Sequence, residues 1–121
     1  MSSYSRDWPQ WIRELSAGLR NLCSGDPDVM KGFSSIAQAV LQPSALDAKT
    51  KELIALAIGI AVRCDDCIAF HVKAAIDHGA TREEVLETLG MAISMGAGPS
   101  AMYASHALEA FTQFSATKTA A

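Results

Sequence analysis

The chain has no Lys/Arg cluster, no long apolar run and no glycine-rich phosphate loop, and each absence removes a class of function. Ten basic against thirteen acidic residues leave a net charge of −3, so the electrostatic footprint of a nucleic-acid-binding protein is missing. The longest apolar stretch, Leu53 to Val62, has ten residues, about half of what a membrane-spanning helix needs. Gly96-Ala97-Gly98 is not followed by Lys-Ser/Thr and does not extend to a G-x-G-x-x-G pattern, so no nucleotide loop is expected. The first seven residues, Met1 to Asp7, contain no apolar signal core, and a cytoplasmic protein is the default expectation. Three cysteines in 121 residues do not make a disulfide framework in a reducing compartment. Internal repeats, low-complexity linkers and period-two alternation are also missing.

What is present reads as one all-α domain over residues 1–121. Half of the residues are hydrophobic and 19% are charged, a composition that folds. Asp7 is placed to cap a first helix with Pro9 in its first turn, and Ser24-Gly25 to end it. Asp26-Pro27 opens a second helix with Val29, Phe33, Ile36 and Val40, stopped by Gln42-Pro43-Ser44. A third runs from Asp47 to about Val62. A short apolar run before a Cys-x-x-Cys could also be the buried strand of a thioredoxin fold, but Ala/Leu richness, a charged helix-forming lead-in and no surrounding βαβ alternation favour helix. The fourth spans Cys64 to His78 and ends at Gly79. Thr81 and Glu84 form a capping box for the fifth. Gly96 to Pro99 interrupts, and a last helix runs to about Phe114, with Ser115 to Ala121 expected to fray. The apolar Leu53–Val62 face and Trp8/Trp11 are expected to be partly covered by other subunits.

The chemistry concentrates in Cys64-Asp65-Asp66-Cys67 followed by His71. At about 100° per residue, Cys64, Cys67 and His71 project from one helix face within roughly 60°. Two thiols and an imidazole so placed serve redox chemistry or hold a metal. For zinc the set supplies three ligands where a structural site takes four. His78 is a turn too far along, and His106 is distant in sequence and has no role assigned. Glu52 comes to face His71 if the third and fourth helices form a hairpin, at about 16 and 12 Å from the turn. Cys23 has no nearby partner and reads as a buried packing thiol.

Glu52, eleven residues, Cys64-x-x-Cys67, three residues, His71, with the trailing segments from His78 to Val85 and from Met95 to Ala104, resembles the AhpD-like alkylhydroperoxidase branch of the carboxymuconolactone decarboxylase superfamily. The likeness covers about residues 46–110. It implies an all-helical bundle of about six helices, assembled as a homotrimer or hexamer. It also implies a thiol-dependent hydroperoxide reductase that needs no cofactor or metal, uses an external dithiol or thiol as reductant, and has neither nucleic-acid nor membrane partners. In these roles Cys67 attacks, Cys64 resolves, and His71 and Glu52 relay the proton. The decarboxylase that names the superfamily lacks the cysteine pair, so decarboxylation is not implied. Two alternatives are a disulfide reductase or redox sensor without peroxide turnover, and a metal-binding or structural assembly module. Asp66 departs from the peroxidase prototypes, in which that position is often histidine. A carboxylate beside Cys67 disfavours its thiolate.

Overall fold

Residues 6–120 are described by a computed structural model, as five helices and, among the described residues, no strand. They are α1 (Trp8–Gly25), α2 (Pro27–Val40), α3 (Ala48–Ala61), α4 (Asp65–Asp77) and α5 (Arg82–Ala120). The boundaries follow from local chemistry. The Asp7 carboxylate accepts the Gln10 backbone N–H at 3.1 Å, and Asp47 accepts that of Thr50 at 2.7 Å; each satisfies an orphan donor of a first helical turn. Thr81 and Glu84 exchange the two hydrogen bonds of a capping box, at 2.9 and 3.1 Å.

The expected break between a fifth and a sixth helix falls where the sequence placed it: α5 is two helical segments joined across a kink. Ala97 sits at φ 55°, ψ −135°, and Pro99 lies just beyond it, so a ring without an N–H falls where the ladder is already broken. Gly96 lets the buried Ser100 close against the bend, because a Cβ there would run into the Ser100 hydroxyl. The helix also continues to Ala120, past the expected end near Phe114. Phe114 is buried against the core, and Lys118 Nζ donates to the Ile76 carbonyl at the end of α4 (3.1 Å). That contact ties the last turns to α4; Ala121, the end of the tail expected to fray, lies outside the described residues.

α3, α4 and α5 pack on one another around Leu56, Ile60, Ile68, Val72, Val85 and Ala107. α1 docks on α4 and α5 through Trp8 and Ile12. Trp8 was expected to await another subunit; it is 1% exposed within its own chain, its indole N–H donating to Glu109 of α5 at 2.8 Å. α2 touches only α1 and buries no residue.

Candidate redox site

The site begins at the turn between α3 and α4. Arg63 adopts the left-handed conformation (φ 61°). The Cys64 N–H reaches the Gly59 carbonyl at 2.9 Å, and the Arg63 N–H reaches that of Ile60 at 3.1 Å. This is a Schellman closure with arginine where glycine is usual. It reverses the chain within three residues, so α4 runs back along α3. Gly59 permits the close approach: a Cβ on it would lie 3.3 Å from the Cys67 Cβ.

Cys64 is the N-cap of α4, its sulfur accepting the Cys67 backbone N–H at 3.1 Å. The two cysteines are paired as a disulfide, Cα–Cα 5.2 Å, and both are half-buried. One turn further, His71 Nδ1 lies 2.6 Å from Glu52 Oε1 across the hairpin. Glu52 is 4% exposed. A carboxylate is an acceptor, so the shared hydrogen sits on Nδ1, and in the neutral ring Nε2 is left with its lone pair. The His71 side chain is 28% exposed, and His71 stands one helical turn beyond Cys67 on the same side of α4.

The four residues singled out by the motif therefore share one hairpin. Cys23 does not join them; it is exposed on α1, not buried as expected, because the end of α1 projects past the α3–α5 core with α2. Among the described residues, no three His, Cys, Asp or Glu side chains converge to hold a metal ion, and no helix is long and apolar enough to cross a membrane.

Sequence reasoning missed a second layer. Asp65 Oδ2 is 3.0 Å from Arg6 Nη1, and its Oδ1 is 2.8 Å from His106 Nδ1. Asp66 Oδ1 accepts the Trp11 indole N–H at 2.8 Å. A cleft of about 290 Å³, lined by Trp11, Glu14, Leu15 and Asp66, opens beside the turn. Residues 41 and 55 positions apart meet here, and no local pattern in the sequence announces that.

The carboxymuconolactone decarboxylase family profile matches residues 27–110. An uncharacterized protein of Cupriavidus necator is 41% identical over 105 residues, covering 87% of this chain and 93% of that protein. An uncharacterized protein encoded in the cox locus of Paracoccus denitrificans is 36% identical over 95 residues, covering 78% and 86%. Among solved structures, a carboxymuconolactone decarboxylase family protein from Legionella pneumophila superposes with a TM-score of 0.87 at 50% identity, covering 92% of this chain and 99% of that one. A Thermotoga maritima member, described with a suggested involvement in antioxidative response, gives 0.72 at 32% identity, covering 76% and 95%.

Proposed function

As this chain belongs to the carboxymuconolactone decarboxylase family, we propose that it is a thiol-dependent hydroperoxide reductase of the AhpD-like type. The observation that carries this reading is the 2.6 Å Glu52–His71 contact one helical turn from a cysteine already paired with Cys64. In the reduced protein, His71 Nε2 takes the Cys67 thiol proton, and Glu52 holds the ring in the tautomer that can do so. The thiolate attacks the terminal oxygen of the hydroperoxide. The O–O bond breaks, the alkoxide takes the proton from His71 and leaves as the alcohol, and Cys67 becomes a sulfenic acid. The Cys64 thiol then displaces water from that sulfur to form the disulfide. An external dithiol reduces it, ending as a disulfide itself. The working form in this reading is a homotrimer or hexamer.

A second reading is a disulfide reductase or redox sensor that uses the same pair without peroxide turnover. Asp66 favours it, because its carboxylate follows Cys64 and precedes Cys67 where a cation would help the attacking thiolate. The test is a coupled peroxidase assay of wild type beside Cys67→Ser and Asp66→His. Turnover by wild type, lost in Cys67→Ser and faster in Asp66→His, supports the reductase. Disulfide exchange without peroxide consumption in wild type replaces it with the second reading.

A further inference from the structure

We infer that Arg6 and Trp11, which lie outside the cysteine motif, are positioning residues for the redox turn. Each holds one of the two aspartates between the cysteines, and together they set how readily the thiols ionise and the disulfide is reduced. The inference rests on the dithiol–disulfide part of the proposed function and not on the peroxide step.

Two consecutive carboxylates inside a Cys-x-x-Cys oppose a thiolate at either sulfur. α4 offsets them in part through the N–H groups of its first turn, one of which the Cys64 sulfur accepts, and through His71, but its lysine, Lys73, is committed to Asp77 at 3.3 Å. A further offset comes from the segment that leads into α1. Arg6 Nη1 is buried and meets the Asp65 carboxylate as a charge partner at 3.0 Å, without an aligned hydrogen bond. Its guanidinium lies over the Trp11 ring at 4.3 Å and the Trp8 ring at 4.9 Å, which fixes the cation without neutralising it. Its backbone N–H is tied to Glu109 at 3.1 Å and its carbonyl to Gln113 at 2.6 Å. Trp11 donates to Asp66 at 2.8 Å and so turns that carboxylate towards α1. The charged and titratable groups grouped around the turn are Arg63 within it, Arg6 and Glu14 from the α1 side, Glu52 from α3, Asp65, Asp66 and His71 on α4, and His106 and Glu109 from α5. Arg6 and Arg63 keep their charge throughout the neutral range; Arg63 is exposed, and Arg6 is the one paired with an aspartate of the motif.

The test is the thiol–disulfide equilibrium of the full chain with reduced and oxidised glutathione. Two glutathione thiols give up two electrons and two protons, the Cys64–Cys67 bond breaks, and the glutathione disulfide forms. The rate of Cys67 alkylation at neutral pH is measured alongside. One unit of thiol ionisation is a tenfold change, and Arg6 is partly solvated, which weakens its field. Arg6→Gln is therefore expected to move the equilibrium towards the disulfide by about threefold to tenfold and to slow alkylation similarly. Trp11→Phe is expected to act in the same direction by about twofold to fivefold. Arg6→Lys should restore most of the wild-type value, and Asp65→Asn should cancel the effect of Arg6→Gln. Ile12→Ala, which loosens the docking of α1 on the core but removes no contact to Arg6 or to either aspartate, should leave both readouts unchanged. Wild-type constants in Arg6→Gln and Trp11→Phe, or an equal shift in Ile12→Ala, would overturn the inference, the latter by showing that α1 docking alone matters. If Trp11→Phe does not fold, Arg6→Gln with Asp65→Asn decides the question, since Arg6 precedes the helix and lies outside the apolar core. A wild-type pair that does not exchange with glutathione at all sinks the proposed function with it, before any variant is compared.

Discussion

His71 uses one ring nitrogen inside the protein and leaves the other for chemistry. Glu52 is buried and its acceptor contact fixes Nδ1, so replacing either residue removes a different part of the relay. His71→Gln removes the base itself and is expected to slow Cys67 alkylation at neutral pH by about tenfold. Glu52→Gln keeps an oxygen but loses the charge, and should act in the same direction by about threefold, through His71. Cys64 labelling should change much less in both. The measurement is the pH dependence of site-resolved labelling in the reduced, folded variants. An unchanged profile in His71→Gln would leave the imidazole as a packing residue.

The α3–α4 hairpin is the element that makes the site, and it was only partly legible. The caps announce themselves: Asp47, the Thr81–Glu84 box, and Gly79, which ends α4 at φ 88°. The spacing of Cys64, Cys67 and His71 puts them on one helix face, and Glu52 can face His71 once a hairpin is assumed; the family resemblance is what picks Glu52 out of a polar stretch. The turn that enforces the hairpin is hidden, because Arg63 stands at the left-handed position where glycine would have marked it. His106, Arg6 and Trp11 are hidden for a different reason: they arrive from other elements, and tertiary contacts leave no local period. The same holds for the last turns of α5, which read as a polar tail until Lys118 is seen on the α4 terminus.

Hairpin and α5 are also pinned by Lys49 and Glu84, 2.8 Å apart. The Lys49 ammonium, then the Thr81 N–H, hold the Glu84 carboxyl below its ordinary value of 4.5, and Glu84 raises Lys49 above 10.5. A depressed folded value means the Glu84 contribution is fully present above 4.5 and is lost as pH falls through the folded value. The Lys49 contribution is full below 10.5 and is lost as pH rises through its folded value. Both ends are solvated, so the effect is small. Glu84→Gln should flatten the acid limb of the stability–pH curve measured by urea unfolding; an unaltered limb would assign that slope to other carboxylates.

At the scale of the whole molecule, the chain carries a large surface with many exposed apolar side chains. The protein exposes 7523 Å², where a compact monomer of this length exposes roughly 6,300 Å². Val29, Phe33, Ile36 and Val40 of α2, at 57–65% exposure, follow the alternating four-and-three spacing of a helix seam. Ile54, Ile58 and Val62 remain open on α3 and its cap. Patches of this kind mark interaction sites, and in the proposed assembly the partner is a second copy. Light scattering at micromolar concentration should give a trimer or hexamer for wild type and smaller species for Phe33→Glu, with helix content retained. A monodisperse wild-type monomer would contradict the assembly.

The central claim is that Cys64 and Cys67 form one redox couple driven by hydroperoxide. It is tested most directly by treating the reduced protein with one equivalent of hydroperoxide and mapping its thiols by mass spectrometry. The account predicts an intramolecular Cys64–Cys67 bridge within each chain, with Cys23 still free to alkylate. A pair that stays reduced while peroxide is present, or bridges that run between chains through Cys23, would contradict it.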